Sequence, residues 1–360
     1  MRHGSALRCG RLAAIVLGSM VLASCAPADN GRPVIVPTPV PSLPPAPWFA
    51  GYVDVTVPSS YRIDEPPVPE AANAVLSFIV AGGRDACTPT WGDYYSLDQA
   101  RTRVDLDGRI ARVREGGGEI VVSFGGALGD ELATACGDAA GLADAYGSVI
   151  DRYGLDTIDL DIEGDELEDP AAGARRAAAI AGLQSERPAG DPLHVWLTLP
   201  AEPSGLTSEA VPEVARMLAA GVELAGVNIM AMNYGDSRPE GMSLLEASME
   251  AAEATHAQLA GLYAKAGMSL DDRAIWSRMG LTPMIGHNDL AGEVTDLATA
   301  RGLNGFAREH GIARLSMWSL NRDRSCGREV EQPSDTCSGV DQEEGEFSRT
   351  LGAGFTGPIR

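Results

Sequence analysis

Three carboxyl side chains recur at every second residue in one short segment of this chain, which is the spacing of a β-strand. Asp159, Asp161 and Glu163 alternate with large aliphatic residues. Because a strand turns successive side chains to opposite faces, the three acids share one face and the aliphatic residues share the other. Adjacent carboxylates repel each other and drive their pKa values apart, as proton transfer between them requires. The pattern therefore indicates a site for acid–base chemistry.

Eight apolar, β-rich segments, most of them separated by helical patterns, define the fold that must position these acids. The predicted strands cover residues 48–57, 74–81, 119–127, 157–163, 194–200, 226–234, 279–286 and 314–320. The predicted helices cover residues 139–153, 171–185, 208–220, 243–266, 295–310 and 345–351, whereas the proline-containing segment 58–73 is expected to be a loop. This α/β alternation favours a single (β/α)8 TIM barrel. The alternative, an open doubly wound sheet, normally has a glycine-rich phosphate-binding turn after its first strand, and none is present.

Composition limits the partners of the molecule. The 360 residues carry a formal net charge of -22 and are 44% hydrophobic. A nucleic-acid partner is excluded because it needs a basic surface, so a neutral substrate fits best. We expect a monomer.

The N-terminus predicts export. Residues 1–24 have a positive start followed by a short apolar run, as a signal peptide does. The run ends in Leu-Ala-Ser before Cys25, which resembles a bacterial lipobox, whereas an ordinary secretory signal with an incidental cysteine is the alternative. Residues 25–47 are proline-rich and predict a semi-stiff tether, which leaves 48–360 as the catalytic domain. We expect a lipid-anchored protein on the outer side of the cell membrane, or a secreted one, with the membrane contacted only through the lipid.

Four cysteines follow the signal segment, an even number that agrees with an oxidising compartment. We expect pairing of Cys87 with Cys136 and of Cys326 with Cys337, although four cysteines allow three pairings. No cysteine or histidine spacing suggests zinc. A divalent cation on the acid row is disfavoured because we expect an apolar barrel interior without further oxygen ligands, so neither a metal nor a cofactor is predicted. The histidines show no pairing and are expected to be structural or exposed.

Polar and aromatic residues fall at the ends of several predicted strands, where the active site of a barrel lies. The Ser123-x-Gly125-Gly126 segment ends strand three, and Glu163 ends strand four. Met232-Asn233-Tyr234 ends strand six, and Trp318 lies in strand eight.

These four motifs resemble those of glycoside hydrolase family 18, the chitinase family, in the same order along the chain. Residues 156–163 are similar to the family signature Asp-Gly-x-Asp-x-Asp-x-Glu, with Thr157 in place of the glycine. Residues 279–289 and 315–323 look like the bacterial subgroup similar to archaeal chitinases. Family members usually carry an aspartate beside the tyrosine of strand six, where this chain has Asn233 and Gly235.

The resemblance implies roles for these residues. Glu163 would be the general acid of a retaining, substrate-assisted reaction, in which the 2-acetamido oxygen of the sugar attacks its own anomeric carbon. Asp161 would orient that group, Asp159 would hold the shared proton in the other state, and Tyr234 would donate a hydrogen bond to the acetamido carbonyl. Further substrate-binding residues would be Trp318 as the floor under the sugar, with Asn233, Ser123, Gly125, Gly126 and Met232. The residue types themselves favour packing for Met232 and a role in shaping strand three for Ser123 and the two glycines, which allow close backbone approach.

The implied substrate is chitin or an oligosaccharide of β-1,4-linked N-acetylglucosamine. Two alternatives remain open at this point: an endo-β-N-acetylglucosaminidase acting on glycans or cell wall, and a catalytically weak, lectin-like chitin-binding protein.

Overall fold

The computed structural model describes residues 46–57, 61–83, 87–330 and 332–360. The predicted signal peptide, Cys25 and nearly all of the predicted tether lie outside these residues, so the predictions about export and lipidation stay predictions. Among the residues described, no helix has the length and apolarity needed to cross a membrane.

Eight parallel strands close into the predicted TIM barrel. Strand β1 consists of Trp48–Phe49 and Gly51–Asp54, interrupted at Ala50. Strands β2 to β8 are Ala74–Ala81, Ile120–Gly125, Thr157–Asp161, His194–Glu202, Leu224–Met230, Met279–Thr282 and Arg314–Leu315. The first half of β1 pairs with β8 and the second half with β2, which closes the ring. The fold prediction is confirmed, and all eight strands lie where the sequence pattern placed them.

Helices surround the barrel on the connections between strands. Helices α1 to α10 are Leu97–Val104, Leu106–Glu115, Leu132–Ala135, Ala139–Tyr153, Pro170–Glu186, Val211–Ala219, Leu244–Lys265, Asp272–Trp276, Leu297–His310 and Glu346–Gly352. The sequence patterns did not show α1, α2, α3 and α8. Residues 61–73 contain only a short 3-10 turn, Pro69–Ala71, as regular structure, in agreement with the loop expected there. An antiparallel hairpin, Pro89–Trp91 with Tyr95–Ser96, extends the sheet beside β2.

Both expected disulfides are present. Cys87 bonds to Cys136, and Cys326 bonds to Cys337. The first joins the segment after the β2 end to the segment before α4, and the second closes a short loop near the C-terminus. The pairing prediction is therefore confirmed.

The barrel interior is built in layers by the two-residue period of the strands. Trp48 and Trp196 fill the lower layer, with their rings edge to face at a centroid distance of 5.6 Å. The middle layer is polar, which corrects the expectation of an apolar interior. Seven strands contribute to it with side chains that are buried: Tyr52, Ser123, Asp159, Thr198, Asn228, Thr282 and Arg314. The outer faces of the strands pack against the helices, and there Ile158, Leu160 and Ile162 are fully buried.

Replacement of Gly226 in β6 tests the packing of the lower layer. A Cβ atom there would lie 2.3 Å from Trp196 Cζ3 and 2.7 Å from the backbone oxygen of Arg278. We expect Gly226→Ala to destabilise the fold by about 1–3 kcal/mol, because the Trp196 ring must move in a close-packed interior. The measurement is thermal unfolding by circular dichroism.

The matched control is Gly182→Ala in α5, where nothing lies within 4 Å of the added carbon. This variant should be neutral or stabilised by up to about 1 kcal/mol, because alanine suits a helix better than glycine. Equal melting temperatures for the two variants would contradict the packing argument.

Candidate active site

The three acids of β4 form a row that runs from the barrel interior into an open cleft. Asp159 is fully buried, Asp161 is 4% exposed, and Glu163 is partly exposed. They share one face of the strand, as the sequence period predicts. Strand β4 itself ends at Asp161, and Glu163 continues its direction with an extended backbone, φ -147° and ψ 172°. The row therefore delivers one carboxyl group to the cleft and keeps two beneath it.

Asp159, at the inner end, accepts four hydrogen bonds. Tyr52 and Ser123 donate to Oδ2 from 2.9 and 2.7 Å, and Thr198 and Arg314 donate to Oδ1 from 2.7 and 2.6 Å. A carboxylate has about four lone-pair positions, so every acceptor position of this side chain is occupied. Asp159 is thus fixed in place by donors from four other strands.

Asp161, in the middle of the row, is in the opposite situation. Its Oδ1 atom is buried and has no hydrogen-bond partner among the described residues. Burial raises the pKa of Asp161 well above its usual range, and the charges of Glu163 and Asp159 raise it further. A buried polar atom without a partner is costly in a folded protein, so this oxygen marks a position at which a donor is expected to bind.

Glu163 faces the cleft with a raised pKa. The first cause is burial, and the second is the negative charge of Asp289. A carboxyl group whose pKa is raised keeps its proton closer to neutral pH, as a general acid must. Because Asp161 and Glu163 are neighbours that influence each other, their two protons titrate as a pair.

The cleft above the row has a volume of about 440 Å³ and largely apolar walls. Trp318 stands on one side, and the ring of Phe78 stacks on it at a centroid distance of 5.5 Å and an angle of 17°. Three methionines, Met230, Met232 and Met284, contribute further apolar surface. Flat aromatic and thioether surfaces beside a few polar groups are typical of sites that bind the apolar face of a small ligand.

The predicted motif after β6 lies in a loop at the edge of this cleft. Strand β6 ends at Met230, so Met232, Asn233 and Tyr234 follow it, and all three line the cleft. The Tyr234 hydroxyl donates to Ser248 Oγ of α7 at 3.2 Å. Burial raises the pKa of Tyr234, which keeps the hydroxyl protonated. Tyr234 thus lines the cleft, while its hydroxyl group donates its hydrogen bond to α7 and not to the cleft.

Asp289, in the loop after β7, is the cleft residue whose role the sequence motifs did not show. Asn233 Nδ2 donates to Asp289 Oδ2 at 2.9 Å, and the Asp289 backbone N–H donates to Asn233 Oδ1 at 3.0 Å. Asn233 itself has a left-handed backbone with φ +53°, which asparagine tolerates better than most residues. This pair of hydrogen bonds holds the Asp289 carboxylate where its charge acts on Glu163.

The Ser-x-Gly-Gly motif lies at the end of β3, where it packs against the acid row and the aromatic wall. Ser123 is fully buried and serves Asp159. A Cβ atom on Gly125 would meet the Asp161 backbone oxygen at 2.1 Å, and one on Gly126 would meet the Phe78 ring at 2.6 Å. The two glycines therefore let β3 pass close to the acid row and to the aromatic wall.

The site as a whole shows no arrangement for a metal ion. Among the described residues, no group of three or more histidine, cysteine, aspartate or glutamate side chains could hold one.

Two curated relatives are about one-third identical to this chain over 255 aligned residues. One is a probable bifunctional chitinase/lysozyme of Escherichia coli (strain K12), 35% identical over 255 residues, which are 69% of this chain and 28% of that protein. The other is endochitinase 11 of Metarhizium anisopliae, 34% identical over 255 residues, which are 69% of this chain and 47% of that protein. The chain thus spans less than half the length of either relative. No protein-family model matches the sequence.

A similar solved structure comes from Pyrococcus furiosus. It shows catalytic-site mutants of active domain 2 of a thermostable chitinase complexed with chito-oligosaccharides, and it is 29% identical with a TM-score of 0.72. The superposition covers 86% of this chain and 95% of that one. This chain belongs to glycoside hydrolase family 18. The family resemblance that the sequence motifs indicated is confirmed.

A second groove begins on the other side of Glu163 from the family 18 cleft. It has a volume of about 430 Å³ and is lined by carboxylates and small residues of the loops after β3 and β4. Glu166 lies in it and accepts a hydrogen bond from the Glu131 backbone N–H at 2.7 Å, while its Oε2 atom is buried without a partner among the described residues. Burial, followed by the charge of Glu131, raises the pKa of Glu166 to about 8.

Substitution of Glu166 tests whether its pKa is raised, through the pH dependence of protein stability. The raised pKa means that the folded protein binds this proton more tightly than the unfolded chain, whose pKa is near 4.5. The free energy of unfolding therefore falls as the pH rises from about 4.5 to 8. We expect Glu166→Gln to raise Tm by a few degrees at pH 9 and to leave Tm unchanged at pH 4. For a domain of this size, about 1 kcal/mol of stability corresponds to roughly 2 °C in Tm.

Glu168→Gln, an exposed neighbour in the same turn, is the control and should change Tm at neither pH. If Glu166→Gln had the same effect at both pH values, Glu166 would not carry a raised pKa.

Proposed function

We propose that this protein hydrolyses the β-1,4 bonds of N-acetylglucosamine oligomers or polymers, as a chitinase, by a retaining and substrate-assisted reaction. The observation that carries the proposal is the pairing of Glu163, at the cleft, with an Asp161 oxygen that is buried and has no partner in the part of the chain that the structure describes. The reaction needs a proton donor and, beside it, an acceptor for an amide N–H. The site offers these two groups side by side on one strand.

Glu163 is the proton donor of the proposed reaction. Its raised pKa keeps the carboxyl group protonated toward neutral pH, and its partial exposure lets it reach a glycosidic oxygen in the cleft. As the bond to the leaving sugar breaks, the proton passes to the leaving oxygen. The carboxylate that remains then takes a proton from the water that completes hydrolysis, which restores the acid.

Asp161 is the acceptor that orients the substrate. An acetamido N–H of a sugar in the cleft would meet the unpartnered Oδ1 atom, and this bond turns the acetamido oxygen toward the anomeric carbon. Attack by that oxygen forms a cyclic oxazolinium ion, whose positive charge is stabilised by the Asp161 carboxylate. A sugar without the N-acetyl group has no nucleophile for this step.

The walls of the cleft fit the remaining parts of the sugar. Trp318, braced by Phe78, offers a flat surface to the apolar face of the ring. The proposed hydrogen bond from Tyr234 to the acetamido carbonyl requires its hydroxyl proton to rotate away from Ser248. Each of these residues lines the same cleft as Asp161 and Glu163.

The relatives support this choice of substrate. The P. furiosus structure holds chito-oligosaccharides, and both curated relatives are named for chitinase activity. The lectin-like alternative is disfavoured because a binding protein has no use for a carboxyl group with a raised pKa at the cleft, and Glu163 is such a group.

Removal of the acid tests the reaction. We expect Glu163→Gln to lower kcat on N-acetylglucosamine oligomers by about 10²- to 10⁴-fold, because glutamine cannot donate the proton. The wild-type protein should leave fully deacetylated glucosamine oligomers intact, because they lack the acetamido nucleophile. From acetylated oligomers it should first release the β-anomer, because the reaction retains configuration. Chromatography of the products and proton NMR of the fresh anomer provide the measurements.

Glu168→Gln, an exposed substitution of the same kind, is the control for this experiment and should keep wild-type kcat. Wild-type protein that releases nothing from acetylated oligomers, or a Glu163→Gln variant as active as wild type, would overturn the proposed function. Release of products from cell-wall glycan but not from chito-oligosaccharides would replace the substrate and keep the mechanism.

The charge of Asp289 gives a pH test of the same acid. Asp289 raises the pKa of Glu163, so Asp289→Asn should lower it. Because activity is lost when the acid loses its proton, the basic limb of the kcat–pH profile should move to lower pH. Asparagine retains an oxygen that can accept the Asn233 hydrogen bond, so the loop should keep its place.

Asp236→Asn, an exposed change of one negative charge in the loop that follows Tyr234, is the matched control. Its profile should coincide with that of wild type. A basic limb that stays in place in Asp289→Asn would show that Asp289 does not act on the acid.

A further inference from the structure

We propose that Arg314 is a positioning residue for the acid row: it holds Asp159 as a carboxylate, so that the proton used in catalysis stays between Asp161 and Glu163. This inference rests on the proposed function and deepens it. It also departs from the expectation, drawn from the family resemblance, that Asp159 takes up the shared proton in one state of the cycle.

The first support is the geometry of the pair. Arg314, on β8, is fully buried inside the barrel, and its Nη1 atom lies 2.6 Å from Asp159 Oδ1. The other two nitrogens are also engaged, because Nη2 donates to the Tyr52 hydroxyl at 2.9 Å and Nε donates to Ser316 Oγ at 3.0 Å. The guanidinium group is thus anchored at three points, and one of them is the carboxylate.

The second support is the surroundings of the guanidinium. Its central carbon lies 5.2 Å from the ring centroid of Trp48, 5.5 Å from that of Tyr52 and 5.4 Å from that of Trp196. Three aromatic rings stabilise a cation but give it no counter-charge. A buried cation requires a paired anion, and of the acids that act electrostatically on Arg314, Asp159 is the carboxylate in contact with it.

The third support is the saturation of Asp159. Each of its oxygens accepts two hydrogen bonds, from Thr198 and Arg314 on Oδ1 and from Tyr52 and Ser123 on Oδ2. A proton added to either oxygen would require one of these hydroxyls to reverse its hydrogen bond or the Arg314 contact to break. Storage of a shared proton on Asp159 therefore requires this network to rearrange, whereas Asp161 Oδ1 is unoccupied by any donor of the described chain.

The consequence falls on Asp161, which faces charges from several elements. Glu163 and Asp159 raise its pKa, and so does Glu166 from the turn after β4, while Arg314 from β8 lowers it. Asp161 also lies near the Tyr52 hydroxyl of β1. Arg314 and Asp159 shift the pKa of Asp161 in opposite directions. Because their charges nearly cancel, the ion pair beneath Asp161 and Glu163 is close to neutral.

The experiment compares the kcat–pH profiles of four variants on a chito-oligosaccharide. We expect the acidic limb to move up by about 1 pH unit or more in Arg314→Met and down in Asp159→Asn, because each leaves one charge uncompensated near Asp161. The double variant, Arg314→Met with Asp159→Asn, removes both charges and should bring the limb back toward its wild-type position. Arg314→Lys retains the charge and should keep the limb in place, although kcat falls.

A residue that only supports the fold would lower kcat and Tm without moving the limb in opposite directions. The proposal is therefore overturned if both single variants shift the limb the same way or if neither shifts it. If Arg314→Met does not fold, Arg314→Lys and Asp159→Asn still decide, since the first must leave the limb in place and the second must lower it.

A readout without substrate separates this inference from the proposed function. Carbon-13 NMR of the aspartate carboxyl groups follows their titration in the same variants, whether or not the wild type cleaves the oligosaccharide. Titration of Asp161 that moves up in Arg314→Met and down in Asp159→Asn would support the inference even for an inactive protein. An unchanged titration in both variants would reject it even for an active one.

Discussion

The buried ion pair between Asp159 and Arg314 is the interaction around which the rest of the site is arranged. Two residues 155 positions apart in the chain meet at 2.6 Å in the middle of the barrel. Because a buried charge without a partner costs several kcal/mol, removal of either residue should destabilise the fold. The hydroxyl and amide groups of the middle layer complete the pair, so that strands from all around the ring converge on one carboxylate.

The depth of each acid then sets its chemistry. Asp159 lies under a full set of donors and is fixed, Asp161 lies above it with one oxygen unused, and Glu163 reaches the cleft. One strand and its extension supply all three environments. Every second residue along it points to the same face, and each lies closer to the cleft than the one before. Carboxyl groups of the same kind thus acquire different roles through their depth and through the donors and charges beside them.

The negative charge that acts on Glu163 comes from the loop after β7, and not from the loop after β6 where the motif lies. The loop after β6 has Asn233 where the family resemblance leads us to expect an aspartate, which raises the question of whether a necessary charge is missing. The structure shows that Asn233 binds Asp289, and that Asp289 supplies a negative charge to Glu163 from the loop after β7. The amide orients the carboxylate instead of replacing it.

The sequence by itself determined the strand order, the eight-fold barrel and the acid row, because each depends on local period, on composition or on motifs that are contiguous in the chain. It favoured the two disulfides that the structure contains, although four cysteines allow three pairings. It also located Trp318 and Tyr234 at strand ends, where both line the cleft. It left α1 and α2 unrecognised, since their apolar faces are short and interrupted by arginines. It also took the barrel interior to be apolar.

Only the tertiary structure decided which charges meet. Arg314 and Asp289 belong to no pattern that sequence spacing could single out, since an arginine at the start of a strand or an aspartate in a loop is ordinarily solvated. Their effects arise when closure of the barrel brings β8 against β4 and the β7 loop against the β4 end. Arg314 is fully buried, so little water screens its charge, whereas Asp289 is exposed and acts on Glu163, which is partly buried. The placement of Ser123 beneath the cleft followed from the same closure. Local order can be inferred from residues that are adjacent, whereas the electrostatics of this site depends on residues that become neighbours only in the fold.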